Sequence, residues 1–405
     1  MPTQAFSAAE WSSIRDTLAA GPESFGFPER RDGSLLAGSF NIRKLGSLDT
    51  RDEETWEFLT EICVRFDVLA IQEIQDNLDG LRELLRRMGD EFDVVVSDKT
   101  GAFPGERGLG ERLGFVYRRE TIRQTEIATD ISFDRTRVIN TIADNCDPIR
   151  DALLPYADDR RSYFEAMEAF DRGERPRRPS APKFKVRMPA FLTFIRTPYC
   201  ASFETIASDD GEPYQFMAIN AHLYYGNFVA DRRQEFDALM HWILSRVEEN
   251  DRAYYPNFLL LADLNLDFDN PKTDRARIDH HIKTFDQESD AAVTVNFPFL
   301  DPHPISNPFR QGEVFRTNAR LTETYDQIGM FFRDARWPHS DINEVMGTDP
   351  LGPDYGMVDF VNLFSVALTG GPLQDLEKAE SAALIARFEH RVSDHMPIWL
   401  RIPRP

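Results

Sequence analysis

Nine short apolar runs recur between residues 35 and 402, none longer than eight residues: LLAGSFNI, DVLAIQEI, FDVVVSD, RLGFVYR, FLTFIR, FMAINAHL, FLLLADLN, YDQIGMFF and PIWLRI. Runs this short, rich in Val, Ile and Phe, predict buried strands, because an amphipathic helix needs a longer stretch with a 3.6-residue period. Three stretches do carry that second period: EETWEFLTEICVRF, LDGLRELLRRM and DRRQEFDALMHWILSRV. A fourth helix is predicted over residues 7 to 20, where Ser7 followed by Glu10 forms a capping box. Many strands with few helices predict two packed sheets flanked by helices.

Residues 1–34 read as an N-terminal helical extension, and residues 35–405 as one domain interrupted near 128–186, 267–320 and 334–357, where the strand rhythm is lost. Insertions of this kind are where substrate preference resides. The first ends in DRGERPRRPSAPKFKVR, with seven basic residues against two acidic ones, which reads as a solvated loop rather than a phosphate-contacting patch. Overall, 68 acidic and 47 basic residues leave a net charge of −21, so the average surface repels polyanions and any contact with nucleic acid must be local. Cys63, Cys146 and Cys200 have neither metal-type spacing nor an even count, which favours reduced thiols. The N-terminus lacks a signal-peptide pattern and FLLLA is far too short to span a bilayer, so a cytoplasmic protein is expected.

Several of the apolar runs end in a carboxylate, amide or imidazole, Asn41, Glu73, His222 and Asp263 with Asn265, while Asp326 lies in YDQIGMFF and Asp394 with His395 opens the last strand. One such residue is an ordinary turn or cap residue; the recurrence points to a shared site at one end of the sheets. Carboxylate and amide oxygens are hard ligands suited to Mg²⁺ or Mn²⁺, with Glu73 the first metal ligand. Asp263 and Asn265 lie two apart, so a strand would aim both side chains to one side. His222 and His395 suit hydrogen bonding or proton transfer to phosphate oxygens, given carboxylate partners. No role falls to His241, read as helical, or to His280, His281, His303, His339 and His390, read as loop residues. In DLNLDFDN, Phe268 stands where a calcium loop requires glycine and Asp274 where it requires glutamate, which excludes that reading.

The ordered set FNIR, IQEI, NAHL, ADLN, YDQI and SDH resembles the endonuclease/exonuclease/phosphatase superfamily, metal-dependent phosphoesterases, over nearly the whole span 35–402, with greatest similarity to the deoxyribonuclease I type. The resemblance implies an α+β fold, a four-layer αββα sandwich of two mostly antiparallel sheets flanked by helices. It implies Glu73 as metal ligand with Asn41 and Asp394 supporting the metal, Mg²⁺ or Mn²⁺. His222 would pair with Glu111 and His395 with Asp326, Asp263 and Asn265 would align water and phosphate, and Arg43 would reach toward substrate. Gln75 and Leu109 stand where that type has an arginine and a tyrosine that contact the minor groove, and Gln327 where an arginine is common. The expected function is hydrolysis of DNA by in-line attack of water. A small phosphoester such as a nucleotide, inositol phosphate or phospholipid head group is the alternative substrate, and a non-catalytic binding module is the third reading. Salt separates the first two, because nucleic-acid affinity falls steeply through counterion release.

Overall fold

This computed structural model describes residues 5–100, 110–183, 186–206, 211–225, 229–248, 254–269, 273–288, 293–302, 309, 313–334, 336–337 and 355–404. Two six-stranded sheets face each other. The first runs β11 (Tyr355–Met357), β12 (Ile398–Pro403), β1 (Ser34–Leu45), β2 (Val68–Gln75), β4 (Glu111–Arg118), β3 (Phe92–Val96). The second runs β5 (Ile122–Asp130), β6 (Tyr199–Thr205), β7 (Gln215–His222), β8 (Phe258–Asp263), β10 (Asp326–Phe332), β9 (Thr294–Asn296). Each sheet has one parallel pair, β1 with β2 and β7 with β8, among antiparallel neighbours.

The period of two explains how this architecture holds. In β8, Leu259 and Leu261 join the core between the sheets, whereas Phe258, Leu260 and Ala262 pack outward beneath α6 (Val229–Glu248) and α7 (Asp274–Glu288). On the other side, α1 (Ala8–Ala20), α2 (Glu53–Cys63), α3 (Asp79–Met88), α8 (Phe360–Thr369) and α9 (Lys378–Arg391) contribute Trp11, Leu59, Leu84, Phe364 and Phe388 to the core of the first sheet. The result is the expected α+β sandwich, helix–sheet–sheet–helix. The N-terminal extension is part of the outer layer: Trp11 meets Phe364 edge-on at 5.4 Å, and the Ser7–Glu10 capping box starts α1. Burying a side chain such as Trp11 contributes about 1.5–3 kcal/mol or more.

Three expectations change. FLTFIR is not a strand. Phe191 and Phe194, three residues apart, close an aromatic cluster with Phe133 at 5.3 and 5.9 Å, while Ile195 is 42% exposed. The ladder beside β7 is instead formed by the next segment, β6. The first interrupted stretch begins only after β5 ends at Asp130 and is helical, with α4 (Arg135–Asp144) and α5 (Cys146–Asp171), and its basic tail is mostly exposed. His280, His281 and His390 lie in α7 and α9 rather than in loops; His303 and His339, with most of 334–357, fall outside the described residues. Among the described residues no helix is long and apolar enough to cross a membrane, and Cys63, Cys146 and Cys200 are free thiols.

Candidate active site

The side chains singled out at the strand ends converge because register places them in one row. His222 lies opposite Asp263 across β7 and β8, and Asp263 lies opposite Asp326 across β8 and β10. Parallel β7 and β8 contribute their last residues and antiparallel β10 its first, so three strands deliver three functional groups to one edge. The first sheet does the same with Asn41, Glu73 and Glu111, all lining or bonded into a cleft of about 710 Å³ with Arg43, Asn265, Asp394 and His395.

Asp263 is the hub. Its Oδ2 accepts a hydrogen bond from Asn41 Nδ2 at 3.0 Å, and its Oδ1 accepts the Asn265 backbone N–H at 3.0 Å. His222 Nε2 and His395 Nε2 stand 3.5 and 3.6 Å from the same Oδ2. Burial opposes ionisation of Asp263, but the charges of His395 and His222 with these two donors hold its carboxyl below the ordinary value. Each histidine has a second carboxylate behind it. His222 Nδ1 lies 3.0 Å from Glu111, and His395 Nδ1 lies 2.8 Å from Asp326. Burial disfavours the His395 cation, yet Asp326, Asp263 and Asp394 together raise its pKa well above that of a free imidazole. Burial pushes Asp326 upward too, so the partners compete for a proton. The short contact and a 2.6 Å hydrogen bond donated by Thr317 to Asp326 favour placing it on His395.

Asn265 reaches this cleft by a different route from the one its spacing predicts. Strand β8 stops at Asp263, and Asn265 turns the chain in the left-handed region at φ 51° while donating its Nδ2 to the Leu223 carbonyl. Left-handed backbone marks Lys44 (φ 48°) and Glu73 (φ 59°) as well. Such conformations are costly for residues other than glycine and cluster at functional positions. Here they coincide with breaks in register, between Asn41 and Leu45 of β1 and between Ile71 and Ile74 of β2. These bulges re-aim side chains, and β1 accordingly runs past Ile42 to Leu45 instead of ending there.

Glu73 accepts from Asn41 Nδ2 at 3.3 Å and from the Lys44 N–H at 2.9 Å. Asn41 Oδ1 and Asp394 Oδ1 are buried oxygens without a hydrogen-bond partner among the described residues. Orphaned hard oxygens in this region, one of them on the Asn41 that bonds the Glu73 carboxylate, fit a divalent cation of the Mg²⁺ or Mn²⁺ kind. Asp263, Asp326 and His395 also bring ligand atoms within 4.8 Å of one another, a second acidic and imidazole grouping. Arg43 lies 3.5 Å from Asp394 and donates to the Glu389 carbonyl.

Residues not anticipated from sequence hold this arrangement. Arg196, 3% exposed, approaches Glu111 at 3.1 Å. Ser393 donates to the Asn41 carbonyl at 2.6 Å and accepts the Arg43 N–H, pinning the SDH turn to β1. Beneath the cleft, Asn220 accepts from Gln72 at 2.8 Å and donates to the carbonyls of Ile71 and Gly114 at 3.0 and 2.8 Å, bridging the two sheets. The motif neighbours Gln72 and Asn220 carried the only signal for this, polar residues inside apolar runs. Gln75 lines the cleft and Gln327 is buried, donating to Thr324; Leu109 lies outside the described residues.

No family model matches the sequence. Deoxyribonuclease-1 of Oryctolagus cuniculus is 30% identical over 95 residues, which are 22% of this chain. The match spans about a third of that relative's length, 32%. Similar solved structures include an endonuclease/exonuclease/phosphatase family protein from Bacteroides thetaiotaomicron (12% identity, 92% of this chain and 98% of that one, TM-score 0.43). Another is the human Nocturnin catalytic domain with bound sulfate (11% identity, 93% and 96%, TM-score 0.44). A third is a mannosyl-6-phosphatase from Bacteroides thetaiotaomicron (12% identity, 91% and 99%, TM-score 0.41). The resemblance to the endonuclease/exonuclease/phosphatase superfamily rests on the ordered strand-end motifs and the two-sheet sandwich that brings them together.

Proposed function

We propose that the protein is a divalent-metal-dependent phosphoester hydrolase of the endonuclease/exonuclease/phosphatase type, with phosphodiesters of DNA as its first-ranked substrate. The observation that carries this reading is the buried Asp263 carboxylate flanked by two imidazoles, His222 and His395, each backed by its own carboxylate. Such a set can take a proton from water on one side and supply one to a phosphoryl or leaving oxygen on the other. Glu73, Asn41 and Asp394 would hold the cation, which supplies charge neutralisation at the phosphoryl oxygens when bound.

Asp263, kept ionised by its neighbours, is the base that accepts the proton of the attacking water. The Asn265 N–H fixes one of its oxygens and Asn41 Nδ2 the other, so the carboxylate cannot rotate away. His395, held as the imidazolium by its carboxylate neighbours, donates Nδ1–H to Asp326 and carries a second proton at Nε2, facing the cleft. His222 is laid out likewise in space, with Nδ1 3.0 Å from Glu111 and Nε2 3.5 Å from Asp263. Preorganised donors of this kind act without reorganising at the moment of charge development.

DNA ranks first on the similarity to rabbit deoxyribonuclease-1 and on Arg43 and Lys44 in the cleft. A small phosphoester is the second reading, favoured by a specific observation: the cleft arginines already have carboxylate partners, Arg43 with Asp394, Arg196 with Glu111 and Arg320 with Glu389. Free thiols throughout support a reducing, cytoplasmic location. The deciding experiment is cleavage of plasmid DNA and of mononucleotide and inositol phosphates with Mg²⁺ or Mn²⁺ over a salt series. DNA cleavage that falls steeply with salt supports the nuclease; turnover of small esters alone replaces DNA as substrate, and no hydrolysis of any ester overturns the hydrolase.

A further inference from the structure

Helix α6 contributes one buried carboxylate, Glu235, 4% exposed, that belongs to neither histidine pair. Its two oxygens are divided between two chain segments. Oε1 accepts the Ile195 backbone N–H at 2.7 Å, and Oε2 accepts the Tyr224 backbone N–H at 2.7 Å. Ile195 immediately precedes Arg196, and Tyr224 follows His222 by two residues.

The two segments meet again at the Leu223 carbonyl, which accepts from Arg196 Nη1 at 3.0 Å and from Asn265 Nδ2 at 2.9 Å. Arg196 in turn stands 3.1 Å from the Glu111 carboxylate that backs His222. The segment carrying Arg196 has no ladder; Phe194 is buried in the core, but the next residue, Ile195, is 42% exposed and has no apolar anchor of its own. The backbone bond to Glu235 supplies that anchor. Burial outweighs the Ile195 and Tyr224 N–H donors and the charges of Arg196 and His222, so the Glu235 carboxyl is pushed up to about 7.

We propose that Glu235 is a positioning residue: by bonding the Ile195 and Tyr224 N–H groups at once, it fixes Arg196 against Glu111 and thereby the His222 imaidazole facing Asp263. Two acceptor oxygens are the requirement. A glutamine offers one acceptor and one donor, so at least one of the two N–H groups would face another N–H. The inference rests on the hydrolase reading, since it assigns Glu235 a task in aligning that site.

The test is Glu235→Gln in the full chain, assayed on bis(p-nitrophenyl) phosphate with Mn²⁺. Loss of an outer-shell partner predicts a kcat lower by roughly 10–100-fold, with KM little changed. Because Glu235 acts through Arg196, the same change made in Arg196→Ala should cost less than about twofold, the non-additivity expected of coupled residues. A kcat equal to wild type, or a full multiplicative loss in the Arg196→Ala background, overturns the proposal. Should Glu235→Gln fail to fold, Glu235→Asp, which keeps both acceptors and the charge on a shorter stem, is judged by the same comparison. A second readout needs no turnover: the downfield Nδ1–H proton of His222, followed by NMR, should shift or broaden in the variant. A wild type inactive on every ester defeats the hydrolase reading alone, while an unmoved His222 resonance defeats the positioning role.

Discussion

Replacing Asn220 with leucine, which has the same number and branching of side-chain heavy atoms, removes the polar bridge under the cleft. Three hydrogen bonds are lost: one from Gln72 at 2.8 Å and two to the carbonyls of Ile71 and Gly114 at 3.0 and 2.8 Å. At a net ~1 kcal/mol per neutral bond, with further desolvation cost for groups left unpaired, the loss is about 3–5 kcal/mol. Against the usual stability of about 5–15 kcal/mol, that is a large fraction of the whole. Urea unfolding measures it as a fall in midpoint at constant slope. Gln72 keeps its second contact, to Ser39 Oγ at 3.1 Å, so Gln72→Leu combined with Asn220→Leu should cost less than the sum of the single changes, because apolar groups then replace both partners. A loss below about 1 kcal/mol for Asn220→Leu would mean instead that these bonds are readily replaced by water.

Glu73→Gln removes the carboxylate to which Asn41 donates, and calorimetry should show Mn²⁺ binding weakened on the order of 10–100-fold or more, as even outer-shell partners cost that much; unchanged affinity would move the metal elsewhere. Gly38→Ala places a methyl group 2.5 Å from Phe66 Cε1, and overpacking of this kind should lower stability by about 1–3 kcal/mol in the same urea assay. The Arg387 hydrogen bond holds the Glu10 carboxyl down to about 2, with burial opposing. Because its pKa is depressed on folding, the stability it contributes is present above the ordinary glutamate range and is lost as pH falls from about 4.3 toward 2. Glu10→Gln should therefore be less stable than wild type at neutral pH by under about 1 kcal/mol, given its partial exposure, and equal to it at pH near 2; a pH-independent difference would contradict the linkage.

The sandwich was legible because its strands obey simple rules. FLLLADLN and FMAINAHL alternate between the inter-sheet core and the helix-covered face, and their polar ends fall in register. What stayed hidden has particular causes. Strand β5, IRQTEIATD, lies at a sheet edge and is half exposed, so it lacks an apolar run. FLTFIR has the composition of a strand, but its phenylalanines satisfy an aromatic cluster instead. His222, His395, Asp263, Asn265, Glu111, Glu73, Asp394 and Arg43 line one cleft, while Asn41 and Asp326 are buried and bonded to Asp263 and His395. Asn265 gets there through a left-handed turn that no spacing rule encodes. Arg196 and Glu235 were invisible because an arginine after an apolar run and a glutamate on a polar-rich helix look like surface residues until the fold buries them.

The most direct test of the account is the steady-state rate of bis(p-nitrophenyl) phosphate hydrolysis by the purified chain with Mn²⁺, compared with Asp263→Asn and with EDTA. A metal-assisted Asp263 base requires metal-dependent turnover that falls by on the order of 10² or more in Asp263→Asn, the scale of a general base. Turnover that survives both the substitution and EDTA would contradict it.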